Sequence, residues 1–420
     1  MKQQSAETLT ITGALGDQAR GKILVTDHPQ RSLIERLIGL ANYPPVEILV
    51  AGQRVYTAPD SAGRLLLRDG ATLMKLARHP EFQLGELYSN GDLEFEGDIV
   101  SLLTAIFQKL PDFSQRPLWI RLLGKLYLLR NNTISRAAHN IHHHYDIGNE
   151  FYRLWLDTEA MQYTCAYFPG HDATLEQAQL AKLDHVCRKL DLQPGQTVAE
   201  AGCGWGGLAR HMARHYGVKV KAYNISREQV AFAREKAAAE GLADRVEYVL
   251  DDYRNLQGEF DAFVSVGMLE HVGVKNYPAL GQVIRGCLKP EGRALVHSIG
   301  RNRPAPMNIW TEKHIFPGAY PPSIGQFCRI FEPNALSVLD VENIRLHYAL
   351  TLKHWLARFE DNLERVRAMF DERFVRMWRF YLASSAAAFA CGELQLFQFV
   401  VSHCQNNDVP MTRNFLYRKD

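Results

Sequence analysis

The sequence predicts an α/β protein: a doubly wound, mostly parallel sheet with helical insertions over residues 139–420, preceded by a small α+β domain over residues 1–112. Three observations carry this reading. Short β-branched runs alternate with helical periodicity between residues 175 and 298, the pattern that parallel βα units leave in a sequence. A glycine cluster, Gly202-Cys203-Gly204-Trp205-Gly206-Gly207, lies between the first of those runs and the next helix. Pro111 and Pro117 bracket the strongest break in the chain and separate this pattern from a more irregular N-terminal part.

Taken in order, residues 1–15 are polar and read as a loose tail. Gln30 to Leu40 has helical spacing, with Leu33, Ile34, Leu37 and Ile38 on one side. Val46 to Val50 and Arg54 to Tyr56 read as strands around an Ala51-Gly52-Gln53 turn, and Arg64 to Leu67 as a third. Thr72 to Arg78 predicts a short helix, Leu87 to Glu96 an irregular polar segment, and Ile99 to Leu110 an amphipathic helix. Residues 113–138 read as a helical linker. Within it, Leu118 to Arg130 is apolar apart from Arg121, Lys125 and Arg130, which fall near one helix face. Such a helix either packs between domains or lies, basic side down, on an anionic membrane surface.

In the second domain Leu175 to Leu190 reads as a helix. Strands follow at Thr197 to Ala201, Val218 to Ala222, Val246 to Leu250, Ala262 to Val266 and Arg293 to Ser298. Helices are expected at Leu208 to Tyr216, Ser226 to Glu240 and Tyr277 to Leu288, and the chain from Trp310 onward is rich in helix and aromatics.

Composition narrows the function classes. Hydrophobic residues make up 46% and charged residues 22% of 420, with net charge +2. That balance gives no field that would draw nucleic acid. The seven cysteines are scattered singly, which fits a reducing compartment better than a disulfide framework. The start of the chain lacks a basic, apolar leader, and no apolar run reaches the ~20 residues that span a bilayer. A cytoplasmic protein is expected, with any membrane contact peripheral on the inner surface. His139, His142, His143 and His144 suggest a metal, but no carboxylate or cysteine completes a ligand set, and none is expected.

The glycine cluster follows a strand that ends in Glu200 and opens a helix. Glycines there let the backbone turn tightly and approach a ligand. The spacing is G-x-G-x-G-G, and an acid at the strand end would repel a pyrophosphate but could fix the cation of an amino-acid moiety. This combination resembles motif I of class I methyltransferases, and so implies a Rossmann-like sheet binding S-adenosylmethionine. The second strand ends in Asn224-Ile225 without an acid, and Gln229 could supply hydrogen bonds instead. Asp252 and Tyr253 after the third strand suit an adenine amine and ring face.

Five longer runs sharpen the resemblance: His144-Tyr-Asp-Ile-Gly-Asn149, Gln162-Tyr-Thr-Cys-Ala-Tyr-Phe168, Ala201 to Gly207, Val264-Ser-Val-Gly-Met-Leu-Glu-His-Val-Gly273, and Ile315-Phe-Pro-Gly318. Together they are similar to the cyclopropane-fatty-acid synthases and the related mycolic acid cyclopropane synthases. Gly85-Glu-Leu-Tyr88 and Gly91-Asp-Leu93 more weakly resemble that family's lipid-associated N-terminal domain. The resemblance implies methyl transfer from S-adenosylmethionine to a cis double bond of an unsaturated phospholipid in a membrane surface. Loss of a proton from the new methyl then closes a ring. It implies bound bicarbonate as base, held by Cys165, Glu270, His297, the Ile299 main chain and Tyr348. The cosubstrate would meet Tyr145, Tyr163, Glu200, Gly202, Gly204, Asn224, Ile225, Gln229, Asp252 and Tyr253. Tyr167, Phe168, Trp310 and Phe316 are expected as aromatic walls around a cationic centre. A homodimer is possible. Glu200 stands where the family commonly has Asp, and Asn224 where it commonly has Thr. The rival chemistries are a 10-methylene product from the same cation and, further off, nitrogen or oxygen methylation of a small molecule.

Overall fold

The computed structural model describes residues 21–24, 31–110 and 147–417, and these form two compact units, one on each side of the proline break. Tyr145, the four clustered histidines and the segment from Leu118 to Arg130 lie outside the described residues. Among those described, no helix is long and apolar enough to cross a membrane.

The first unit is a five-stranded sheet ordered β1-β3-β2-β4-β5: β1 Lys22–Ile23, β2 Glu47–Val50, β3 Gln53–Thr57, β4 Arg64–Leu67 and β5 Leu93–Glu96. Four helices complete it: α1 Arg31–Leu40, α2 Gly70–Arg78, α3 Pro80–Ser89 and α4 Ile99–Phe107. The segment read as irregular, Leu87 to Glu96, is instead the end of α3 and all of β5. Pro80 opens α3, Gly91 turns the chain at φ +77°, and β5 pairs antiparallel with β4. Its polarity is that of a strand with one wet face: Leu93 is buried while Glu94 and Glu96 are exposed.

The second unit is a seven-stranded sheet ordered β11-β12-β10-β9-β6-β7-β8. Parallel pairing joins β6 Thr197–Ala201, β7 Lys219–Asn224, β8 Val246–Leu250, β9 Phe260–Val266 and β10 Leu288–Gly300. Two strands absent from the sequence reading, β11 Leu336–Asn343 and β12 Gln395–His403, extend it antiparallel. Apolar layers cover both faces, one including Leu183, Met212 and Val230, the other Phe263, Ile284 and Phe327. Each such buried side chain contributes roughly 1.5–3 kcal/mol.

The helices of this unit are α5 Asn149–Arg153, α6 Leu175–Leu190, α7 Gly207–His215, α8 Arg227–Ala239, α9 Tyr277–Cys287, α10 Ile309–His314, α11 Ile324–Phe331, α12 Arg345–Asp361, α13 Leu363–Met369 and α14 Glu372–Cys391. A capping box, Thr174 with Gln177, starts α6, and Ser226 caps α8, satisfying first-turn N–H groups. From β6 the chain moves to β7 on one side, while β9 lies on the other. That reversal makes a switch point at the C-terminal ends of β6 and β9, where open α/β sheets bind ligands.

Candidate active site

The glycine loop leaves β6 at this switch point. Gly204 sits at φ +53°, and a Cβ built there would meet nothing within 4 Å. Gly206, at φ +76°, is crowded from the protein side, where a Cβ would fall 2.4 Å from the Tyr248 hydroxyl. The loop is thus packed at Gly206 and open at Gly204. Asn224 Nδ2 braces it, donating to Gly204 O at 3.1 Å and to Gln229 Oε1 at 2.9 Å. That leaves Gln229 Nε2 buried and unpartnered, a donor suited to a ribose hydroxyl. Ile225 is half-buried beside them. Asp252 is less available than expected, because Arg254 Nε and Nη2 donate to its two oxygens at 2.7 and 2.9 Å. The same guanidinium lies 5.5 Å over the Tyr253 ring.

Glu200, at the end of β6, is buried with Oε2 unpartnered. Burial pushes its carboxyl up to about 8, against the charges of Lys182 and Arg210. Lys182 is a buried cation that the sequence reading passed over. It donates to Gln162 Oε1 and, at 3.0 Å, to Thr164 Oγ1, and burial lowers it to about 8. Its charge also bears on Asp157, Cys165 and His297. A signal was present: Gln179, Lys182, His185 and Lys189 recur at three- and four-residue spacing on α6, and all four are buried.

The segment carrying Tyr163 and Cys165 is pinned between α6 and α12. Gln179 Nε2 donates to Thr164 O at 2.9 Å, Ala166 N to Thr351 Oγ1 at 3.0 Å, and Phe168 N to His347 Nδ1 at 2.9 Å. The buried Cys165 thiol points to Ala166 O at 3.1 Å, and burial pushes it far up. It is therefore a neutral donor.

Glu270 follows β9 on a short 3-10 turn. Its Oε1 accepts from Ile299 N, at the end of β10, at 2.7 Å, while Oε2 is buried and unpartnered. Burial pushes this carboxyl up to about 7, opposed chiefly by the Ile299 N–H. The Ile299 amide therefore serves Glu270 directly. His297, two residues earlier on β10, is buried and held well below the usual imidazole range by burial and by Lys182 and Lys189.

Ring contacts form a chain through Tyr163 that runs from His271, the neighbour of Glu270, to Tyr348. Its hydroxyl lies 2.8 Å from that of Tyr381. Tyr381 touches Phe316 with centroids 5.6 Å apart, and Phe316 touches His271, beside Glu270, at 6.2 Å. On the other side Tyr163 meets Trp355 at 5.4 Å, and Trp355 meets Tyr348 at 5.9 Å. Of the four expected walls, Phe316 joins this chain and Trp310 packs on Phe380 at 5.0 Å. Tyr167 and Phe168 do not join it. Tyr167 stacks between His185 and His347 at 4.3 and 4.6 Å, and Phe168 stacks on His354 at 5.4 Å. Tyr381 carries the central contact and was not singled out in the sequence.

The doubly wound sheet, its switch point and the open glycine loop define an S-adenosylmethionine-dependent methyltransferase. The chain belongs to the mycolic acid cyclopropane synthetase family, whose profile matches residues 132–399. It is 36% identical over 378 residues to a probable fatty acid methyltransferase of Pseudomonas putida, covering 87% of this chain and 94% of that one. It is 43% identical over 272 residues to the cyclopropane-fatty-acyl-phospholipid synthase of Escherichia coli K12, covering 64% of this chain and 69% of the relative. The mycolic acid cyclopropane synthase CmaA1, solved with SAH and CTAB, superposes with a TM-score of 0.60 at 30% identity, covering 63% of this chain and 97% of that one.

Proposed function

We propose that this enzyme converts cis double bonds in phospholipid acyl chains to cyclopropane rings. The alkene π electrons attack the sulfonium methyl, the S–CH3 bond breaks to release S-adenosylhomocysteine, and a secondary carbocation remains. A C–H bond of the new methyl then gives up its proton, and its electron pair closes the ring. The observation that carries this reading is Glu270: buried, oriented by the Ile299 amide, and with Oε2 unpartnered. A carboxyl raised to about 7 can share a proton with a small anion, where a bare carboxylate would repel it.

The residue types carried over from the family resemblance suit bicarbonate, which would supply the proton acceptor. Cys165 and His297 are both neutral, Tyr348 adds a phenol, and the buried Lys182 gives the region positive potential. The linked aromatic side chains exclude water from a cation. The 1–112 domain and the basic stretch of Arg121, Lys125 and Arg130 would bring the enzyme to the inner face of the membrane from the cytoplasm. The curated relatives' names, a fatty acid methyltransferase and a cyclopropane-fatty-acyl-phospholipid synthase, support a lipid substrate. The test is to incubate pure protein with S-adenosylmethionine and vesicles of unsaturated phospholipid, then analyse the fatty acids by mass spectrometry before and after alkene reduction. A methylated product that survives reduction is expected. One that takes up hydrogen would make this a methylene-forming relative, and methylation of soluble amines without lipid would end the lipid reading.

The cosubstrate's ammonium group is assigned to Glu200. Lys182→Met would then raise the Glu200 carboxyl further and keep it protonated at neutral pH. A carboxyl that titrates one pH step higher is ionised about tenfold less below its midpoint. Calorimetry at pH 7.5 should therefore show S-adenosylmethionine binding weakened by about that factor. The deficit should narrow by pH 9.5, where the carboxyl ionises in both proteins. An equal deficit at every pH would mean that Lys182 only packs.

A further inference from the structure

His297 and Gln398 stand directly opposite each other in the antiparallel β10–β12 pair, so their side chains share a face of the sheet. Gln398 is completely buried, with Nε2 3.1 Å from His297 Nδ1 and Oε1 unpartnered. On its other side Gln398 faces Glu342 of β11, whose Oε2 is held at 2.6 Å by both His185 and Lys189. A polar row thus crosses three strands, from the sheet edge to the buried imidazole. Its neighbours along the strand are apolar: Leu396, Phe397, Phe399, Val400 and Val401 flank Gln398 in sequence, and all are buried. An amide in such a place is costly unless its hydrogen bonds are used.

A neutral imidazole offers one N–H and one lone pair, and whatever meets one nitrogen decides what the other presents. Burial, reinforced by Lys182, Lys189 and His185 and opposed by Glu342, keeps this ring neutral. We propose that Gln398 is a positioning residue: by donating to Nδ1 it locks His297 in the Nε2–H tautomer, so that His297 is a fixed hydrogen-bond donor to the anion and cannot act as the base. The donor half of this inference rests on the bicarbonate reading above; the tautomer half does not. An anion needs donors, and a bare Nε2 would present it with a lone pair. The reversed amide would accept from Nδ1–H and turn that lone pair toward the anion, so the amide's orientation decides the chemistry.

The test combines nitrogen NMR of protein carrying 15N-histidine with turnover. His297→Asn identifies the resonance by its loss. The wild-type ring should show a bare Nδ1 and a protonated Nε2. Gln398→Glu, which can only accept when ionised, should move the proton to Nδ1. Gln398→Met, close in size but unable to donate, should give a mixture, and it serves if the glutamate variant folds poorly. Turnover in both should fall about 10- to 100-fold, the range for one hydrogen bond to a charged group. The bicarbonate concentration for half-maximal rate should rise, and S-adenosylmethionine affinity should stay unchanged. A wild-type ring protonated at Nδ1 overturns the assignment whatever the chemistry. A tautomer unmoved in both variants overturns the part given to Gln398. If the tautomer moves, turnover holds and His297→Asn is inactive, the tautomer has no catalytic weight and the proposal falls. If His297→Asn itself turns over normally, the donor role falls because the bicarbonate reading has failed, and only the tautomer lock survives.

Discussion

Replacing Gly204 with valine is expected to abolish S-adenosylmethionine binding while leaving the sheet folded. Two effects act together. The backbone at φ +53° is left-handed, which costs a non-glycine residue about 1–3 kcal/mol, and a β-branched side chain tolerates it least. The added methyls would enter the one side of the loop where a Cβ meets nothing within 4 Å, the space a ligand needs. The loop's packed side, where Tyr248 Oη donates to Gly206 O at 2.9 Å, is untouched, as is the apolar layer beneath β6. Calorimetry should show no binding heat, and the thermal midpoint should no longer rise with added S-adenosylmethionine, since only a ligand that binds the folded state raises it. Gly204→Ala should fall between, because its single methyl keeps the strain and fills less space. Wild-type affinity in the valine protein would show that the loop does not meet the cosubstrate.

The parallel strands and their helices could be read from sequence because each βα unit leaves its own periodicity, and β6 to β10 lie where the alternation puts them. The antiparallel pair could not. β12 lies between β10 and β11, and from Gln395 to Ser402 every residue is buried. A strand without alternation that follows a long helix carries no period to separate it from more helix. β5 was lost for the opposite reason, since its wet-face glutamates made it read as a loop. At the site, Cys165, Glu270, His297 and Tyr348 are expectations that come from the family resemblance and not from any local periodicity. What sequence does not encode locally is which polar groups become buried together. The hydrogen bond between Glu270 and Ile299 spans 29 residues, and that between Gln398 and His297 spans 101. Both arise from strand order rather than from any local pattern. The stacking of Tyr167 between two histidines likewise depends on α6 and α12 flanking the motif segment.

Glu270→Ala is expected to lower turnover at least ~100-fold, the lower range for losing a positioned acid–base group, with little change in S-adenosylmethionine affinity. The residues assigned to the cosubstrate, Gly204, Gln229 and Tyr253, hydrogen-bond and pack among β6, β7 and α8 and the turn after β8, and none is bonded to Glu270. What the mutation does change is the end of β10, because the Ile299 N–H loses the carboxylate it donates to at 2.7 Å. That amide could then meet the anion itself, but without a partner able to share the proton. Depleting carbon dioxide should slow the wild type and add little further loss to the mutant, since both changes disable one unit and such effects do not add. Stability gives an independent check. A carboxyl raised from 4.5 to about 7 favours the folded state below about 4.5, and that support is lost as pH rises through about 7. Denaturant titrations should therefore show the stability deficit of Glu270→Ala shrinking between pH 4.5 and 7. A deficit that grows over that interval would mean the carboxyl is ionised and paired in the folded protein. Near-normal turnover in the mutant, or a mutant still fully dependent on bicarbonate, would place the base elsewhere.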